Sequence, residues 1–476
     1  MKNHSELINT KLADTQMRAN LDSAMHALQD RRLALINSKF KQWEGLRQRA
    51  KNAKDNALFT LKDRVLEFEK NATKNGMKVH YASTCEDACE IVYNLMIEKK
   101  ISKVLKGKSM ASEEIGLNHY LEKKGLIATE TDLGELILQL GNETPVHIVV
   151  PAIHKNRYEI GELFAEKLGV EKESEPEKLN AIARVHLRNE FENLQMGLSG
   201  VNFAISSKGA IWLIENEGNG RMCTTSPDIH VAICGIEKIV ESFNDAATTD
   251  TLLTPSATGQ FIPAYNNIIT GPRKEGELDG PKEVHIILFN NHRTNILSNK
   301  DYYEALRCIR CGACMNFCPV YDKIGGHSYD AVYPGPIGEV ISPQLFGMKE
   351  HSDILSLCSL CGRCSEVCPV KIPLDSMIRK LRRDKIGEYE ENAPLGASEL
   401  EHSSLEKGGF SAFTKMATSA TLWRTGLANA SKFNWFVQSF GGHIPVLSRW
   451  AKYKDLPKLE GNLYKEISKL DGVSYE

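Results

Sequence analysis

The stretch CIRCGACMNFCPVY, residues 308–321, sets four cysteines within eleven positions and places Pro319 against the last of them. Fifty residues on, CSLCGRCSEVCPVK (358–371) repeats the arrangement cysteine for cysteine. Written out, Cys308-x2-Cys311-x2-Cys314-x3-Cys318-Pro319 is matched by Cys358-x2-Cys361-x2-Cys364-x3-Cys368-Pro369. This is the spacing of the bacterial ferredoxin run, in which three closely spaced thiolates wrap one corner of a cubane cluster and the fourth reaches across to the other. The crossing predicts that Cys308, Cys311, Cys314 and Cys368 hold one [4Fe–4S] cluster, and Cys358, Cys361, Cys364 and Cys318 a second. Pro319 and Pro369 turn the chain and remove a backbone donor beside the fourth ligand. Gly312 and Gly362 let each loop pass close to sulfide. A zinc site would take four ligands, commonly two C-x2-C pairs far apart, and has no use for a third cysteine two residues on. Each cluster carries one electron at a time. Two clusters with no flavin or nicotinamide motif read as a relay rather than as the site of hydride chemistry.

Eight of the twelve cysteines lie in these repeats, which in a chain of cytosolic character argues for metal or redox chemistry rather than disulfides. The others, Cys85, Cys89, Cys223 and Cys234, show no ligand spacing and read as small buried hydrophobes. A length of 476 residues implies two to four domains. Hydrophobic content of 42% and charged content of 25% are those of a soluble globular protein. A formal net charge of −2 gives no general reason to expect nucleic acid. The first twenty residues lack the apolar core of a secretory signal, and no run approaches a membrane span. The expected location is cytoplasmic, with peripheral contact at the inner face of the membrane left open.

Four regions are expected. Residues 1–75 carry apolar side chains at Met17, Leu21, Met25 and Leu28, then Leu58, Leu61, Val65 and Phe68, the steps of amphipathic helix. Two or three helices are predicted, stopped at Asn75–Gly76, either packed on the next domain or offering an interaction surface. Residues 76–295 alternate short apolar strands with helical stretches and predict an α/β domain around a largely parallel sheet. The strands are expected at 78–82, 146–153, 210–214, 229–233 and 283–289, helices at 86–99 and 234–243, and a hairpin turn at 206–209. Residues 296–390 form the double-cluster domain. In 391–476 three of the five tryptophans (Trp423, Trp435, Trp450) lie among basic residues, and FNWFVQSFGGHIP (433–445) reads as an aromatic helix halted by Gly-Gly. Such a tail suits a membrane surface, a partner, or a cap on its own protein.

No nucleotide motif is complete. GKS at 107–109 lacks the first glycine of a phosphate loop, and Gly218-x-Gly220 lacks the third glycine of a dinucleotide fingerprint. Both read as turns. ENEGNGRMCTT (215–225) follows an apolar strand, where crevices in α/β sheets are often lined. Glu215, Glu217, Asn219 and Arg221 are candidates to meet a phosphate or carboxylate, the alternative being a solvated turn.

The repeats, GGHSY (325–329), YPGPIG (333–338) and GLSGVNFAISSKGAIWLIENEGNGR (197–221) together resemble the lactate-utilisation protein B family. The resemblance implies that the middle region is a LUD domain, similar in fold to ribose-5-phosphate isomerase and CoA-transferase proteins. It implies work in the NAD-independent conversion of L-lactate to pyruvate beside two partners, an iron–sulfur subunit with CCG domains and a second LUD-domain subunit. A quinone or other respiratory acceptor would follow. All eight cluster cysteines match the family's double motif, whereas no catalytic residue carries over. Two other functions stay open: an enzyme acting on a sugar phosphate or CoA ester through the LUD domain, and an assembly scaffold.

Overall fold

The apolar steps at Met17, Leu21, Met25 and Leu28 turn one face of a long helix inward, and all four side chains are buried. The computed structural model describes residues 4–387, 393–400, 404–430 and 434–440, with 432, 448, 454, 455, 469, 470 and 472. It divides into a unit of residues 1–400 and a second of 401–476.

The first unit opens with four helices, α1 (His4–Ala13), α2 (Thr15–Lys39), α3 (Trp43–Phe59) and α4 (Leu61–Lys74), where the sequence pattern predicted two or three. The added boundaries lack glycine and proline. At the first of them Asp14 caps α2 by accepting from the Met17 N–H at 2.9 Å. The predicted stop holds: Asn75 follows α4 and Gly76 takes φ +92°, where a side chain would be strained. Met25 and Leu28 of α2, with Ala50 and Leu58 of α3, share one core with the cysteine repeats. Phe68 and Ala72 of α4 join the core of the α/β region. The N-terminal helices are thus packed on the rest of the unit.

Ten strands follow: β1 (Lys78–Ala82), β2 (Lys103–Lys106), β3 (Ile127–Glu130), β4 (Met196–Gly200), β5 (Phe203–Ile205), β6 (Ala210–Glu215), β7 (Ile229–Gly235), β8 (Ile239–Val240), β9 (Tyr265–Ile269) and β10 (Glu283–Phe289). Six make a sheet in the order β1-β10-β7-β4-β2-β3, parallel throughout. Its central strands β7 and β10 are buried along almost their whole length, as unbroken apolar runs between two covered faces should be. The other four form a sheet β8-β5-β6-β9, in which β5 and β6 are the hairpin expected around the turn 206–209.

Two predicted elements are replaced. VHIVVPAI (146–153) is not a strand. Its backbone turns on itself, with Val149 and Val150 N–H donating to His147 Nδ1 and Val146 N–H to the Pro151 carbonyl, while Pro151 has no N–H to offer a ladder. Residues 234–243 are not a helix. Cys234 and Gly235 finish β7 against Leu288 and Phe289, a short 3-10 turn follows, and β8 pairs with β5. The apolar spacing there serves two sheets rather than one helix face.

The sheet buries histidines in neutral form. His230, bonded to Ser199 Oγ at 2.8 Å, is pushed down to about 3 by burial and then by His285. His285, stacked on His80, is pushed down to about 4 by burial and then by His80. Both fall below the ordinary value of 6.5, so below that pH the unfolded chain binds more protons than the native one. Their contribution is fully present above pH 6.5 and is lost as pH falls through 4 and 3. The urea midpoint is expected to drop over that window, and more shallowly in His230→Leu; equal slopes in the two proteins would refute this.

In the second unit, helices Ser404–Thr418, Ala420–Ala430 and Asn434–Phe440 are described. Phe410, Phe413, Trp423, Trp435, Phe436 and Phe440 are exposed on them. The aromatic helix expected within 433–445 is present as Asn434–Phe440, while the Gly-Gly stop and Trp450 lie outside the described residues. No helix among the described residues is long and apolar enough to cross a membrane.

Candidate functional site

The two cysteine repeats fold alike. Arg310 and Leu360 take φ +60° and +55°, and Gly312 and Gly362 take +74° and +76°. The left-handed turns aim backbone donors at sulfur: Arg310 N–H to Cys308 Sγ at 3.4 Å and Leu360 N–H to Cys358 Sγ at 3.3 Å. At the fourth cysteines, Tyr321 N–H reaches Cys318 Sγ at 3.4 Å and Ile372 N–H reaches Cys368 Sγ at 3.3 Å.

Cys308, Cys311, Cys314 and Cys368 line one small cavity, closed by apolar side chains that include Ile148, Ile309, Ile337 and Leu374. Burial pushes the Cys311 thiol up to about 12 and Cys368 up to about 11, and each is raised further by other cysteines of the set. Cys318 and Cys364 are likewise pushed up to about 12 by burial, Cys318 also by Cys358, and Cys364 by Cys358 and Cys318. Cys314, raised by burial, feels Cys308 and Cys311 and also Cys364, so the two sets adjoin. Thiols so placed would stay protonated without a compensating positive charge, and iron supplies one. The donor set and the N–H groups fit a pair of cubane clusters. The two sides differ in exposure: Cys358 is half-buried and Cys361 exposed, whereas Cys308, Cys311, Cys314 and Cys368 are all buried.

The N-terminal helices hold these loops. Arg32 of α2 donates to the Val367 carbonyl at 2.6 Å, and its guanidinium lies 5.3 Å from the Phe317 ring centre. Arg47 of α3 donates to the Cys368 carbonyl at 3.0 and 2.8 Å and to that of Glu366 at 2.8 Å. The sequence pattern gave no sign of either contact, because both are long-range and go to backbone.

A second, larger cavity of about 500 Å³ opens at the carboxyl ends of β2, β4, β6 and β7. Both incomplete glycine motifs reach it. GKS at 107–109 is irregular backbone, as read, but Gly220 lies in the first turn of a short helix, Asn219–Thr225, rather than in a loop turn, and a Cβ on Gly107 would stand 3.1 Å from Gly220 Cα, so the two segments touch at the cavity wall. Of the loop candidates, Glu215, Glu217 and Asn219 line it and Arg221 does not. Glu215 is occupied in shaping its own loop, accepting from Gly220 N–H and Arg221 N–H, both at 2.6 Å, and from Asn267 Nδ2 at 2.7 Å. Asn219 is buried and donates to Thr131 Oγ1 at 3.2 Å. Glu217, partly open to solvent, accepts from Leu133 N–H at 3.1 Å; its carboxyl is pushed up to about 7 by burial and by the charge of Asp132.

Lys108, Lys238, Arg293 and Arg310 also line the cavity. Lys238 and Arg293 lie in no motif, and Lys108 and Arg310 lie in motifs read for other reasons. Arg293 is fully buried in a bidentate pair with Glu114, both bonds at 2.8 Å, and donates from Nε to Glu237. Tyr333 donates to Glu114 at 2.6 Å, and Arg310 reaches Glu237 at 3.4 Å. Burial alone would raise the Glu237 carboxyl, but Arg293 and Arg310 hold it down at about 2. Ile148 and Ile309 line both cavities, so the two share a wall. Among the remaining cysteines, Cys89, Cys223 and Cys234 are buried and Cys85 half-buried. Burial pushes all four thiols up to about 12.

Comparison with known proteins gives three family matches: the LUD domain over residues 65–289, a 4Fe-4S dicluster domain over 304–372, and the C-terminal region of lactate utilisation protein B over 380–473. An uncharacterised electron transport protein of Escherichia coli, YkgF, is 38% identical over 463 residues, covering 96% of this chain and 94% of its own. Lactate utilization protein B of Bacillus subtilis is 39% identical over 446 residues, 93% of this chain and 90% of its own. That of a Geobacillus species is 40% identical over 425 residues, 89% of this chain and 87% of its own. A crystal structure of a DUF162 family protein from Deinococcus radiodurans covers 50% of this chain and 98% of its own at 13% identity, with a TM-score of 0.27, too slight a likeness to argue from.

Proposed function

This chain belongs to the lactate utilisation protein B family, and from that premise we propose that it is the electron-transfer subunit of an NAD-independent system oxidising L-lactate to pyruvate. Two [4Fe–4S] clusters would be held by Cys308, Cys311, Cys314 and Cys368, and by Cys358, Cys361, Cys364 and Cys318. When bound, they supply one-electron steps between a two-electron donor and a two-electron acceptor. The observation that carries the reading is the repeated geometry of sulfur and backbone N–H, in which Arg310 and Leu360, then Tyr321 and Ile372, serve equivalent cysteines.

The chain's own contribution is placement. Arg32 and Arg47 fix the carbonyls around Cys368, and the apolar closure by Ile148, Ile337 and Leu374 keeps water from the inner set. The exposed Cys361 loop offers an entry for electrons from partner subunits, which we take to be a CCG-domain iron–sulfur protein and a second LUD-domain protein. The exposed aromatic residues of the tail helices support contact with such a partner or with the inner face of a membrane. The alternative of chemistry on a sugar phosphate or CoA ester is disfavoured by the large cavity, where Lys108, Arg293 and Arg310 are already paired with carboxylates.

Purified protein is expected to be brown and to carry about eight irons and eight labile sulfides. With its partners it should show cluster reduction by electron paramagnetic resonance on addition of L-lactate. Lactate oxidation at full rate in a complex whose subunit carries Cys311→Ser and Cys361→Ser would refute the assignment.

A further inference from the structure

We propose that the cavity at the strand ends binds a neutral quinone head group against the wall it shares with the inner cysteine set. The proposal rests on the electron-transfer reading above and names the acceptor side of it.

Three observations select this ligand. At about 500 Å³ the cavity is of the size that takes a drug-sized molecule, well beyond the needs of a three-carbon acid. Its wall is largely apolar, with Val201, Leu213, Ile233, Leu253 and Phe289 beside Ile148 and Ile309. Most of its charge is paired: Arg293 is committed to Glu114 and Glu237, Lys108 lies 3.3 Å from Glu135, and Arg310 lies 3.4 Å from Glu237. Three of the four cations are paired in this way, which leaves little charge to hold a phosphate and disfavours a flavin nucleotide. A neutral conjugated ring bearing carbonyl oxygens suits such a wall.

Arg310 supplies the polar anchor. It lies between two cysteines of the inner set, and its guanidinium sits 4.8 Å from the Tyr333 ring centre. Its Nη1 is buried without a hydrogen-bond acceptor. A buried N–H left unpaired is costly, and a carbonyl oxygen in the cavity relieves it. A ring seated here lies against Ile148 and Ile309, which also line the cysteine cavity. Oxidation of a 2-hydroxy acid to its 2-oxo acid releases two electrons and two protons. Reduction of a quinone to a quinol takes up two electrons, delivered singly, and two protons. Glu217 can give one proton, its carboxyl raised to about 7 by burial and Asp132, and water at the cavity mouth the other.

The test uses full-length, cluster-loaded protein and an alkyl hydroxyquinoline N-oxide, a redox-inert quinone mimic whose fluorescence is quenched on binding. Saturable binding of one molecule per chain is expected, with a changed line shape of the reduced inner cluster. Thr258→Trp fills the half-buried cavity wall from the end of the helix Phe243–Thr258 and should weaken binding at least about tenfold with iron content unchanged. Met110→Trp does the same from another lining position and serves if the first variant fails to fold. Absence of saturable binding, unchanged affinity in an iron-replete variant, or preference for flavin mononucleotide over the mimic would each overturn the proposal. Iron and sulfide content separates these outcomes from failure of the underlying reading, since a protein lacking clusters would sink that reading instead.

Discussion

Cys318→Ala is expected to remove the cluster of the opposite repeat: iron falls from about eight to about four per chain, and the cluster lost is the one bound by Cys358, Cys361 and Cys364. The reason is spatial. Cys318 stands four residues after Cys314 in sequence, yet its thiol feels Cys358, while the cavity lined by Cys308, Cys311 and Cys314 is completed by Cys368. Pairs of substitutions make the assignment decisive. Cys318→Ala with Cys361→Ala strikes one cluster twice and should retain about four irons, whereas Cys318→Ala with Cys311→Ala strikes both and should retain almost none. The opposite pattern would mean that each repeat holds its own cluster.

Arg293→Met should be the most destabilising single change in the α/β region. The guanidinium is buried between Glu114 and Glu237, both themselves buried, and methionine leaves two carboxylates in the interior with no full partner. Breaking a buried pair in this way costs about 3–5 kcal/mol, a large share of the roughly 5–15 kcal/mol that stabilises a typical domain. The dependence on pH should change sign as well. In the native protein Glu237 is held down at about 2, so its contribution is fully present above the ordinary value of 4.5 and is lost as pH falls through 2. In the variant Arg310 still opposes burial at Glu237, but Glu114 has lost its only cation and its carboxyl rises, so the native state binds the extra proton and the deficit shrinks as pH falls from 7 towards 5. Urea midpoints of both proteins at the two pH values test this. A deficit below about 1 kcal/mol, the ordinary scale of a surface ion pair, would show that water reaches the site.

The parts of the chain legible in sequence were those whose signal is local. The ferredoxin spacing, the strands β1, β6, β7 and β10, and the stop at Asn75–Gly76 are each carried by residues within a few positions of one another. What escaped was set by contacts distant in sequence. VHIVVPAI has a strand's composition, but it folds back on His147 and Pro151 and its apolar side chains wall two cavities. GKS and Gly218-x-Gly220 fail as motifs taken singly; they meet because the short helix between β6 and β7 carries Gly220 against Gly107 at the end of β2. The loop 215–221 was correctly placed at a strand end, yet Glu215 proves to be a brace for that loop, and the cations at the cavity come from four other segments.

The grip of Arg32 and Arg47 on the loop at Cys368 has a consequence for biogenesis. The partners are 335 and 321 residues apart, so the first helices leave the ribosome roughly 15–70 s before the residues they clasp, at usual rates of synthesis. During that interval Leu21, Met25 and Leu28 have no core to enter, and the chain is a natural client for a chaperone. Iron insertion has to come after Cys368 has emerged, because the last cysteine and the arginines that seat it meet only then. Cutting the cysteine repeats away as a portable ferredoxin would discard the half of their binding site that is made first.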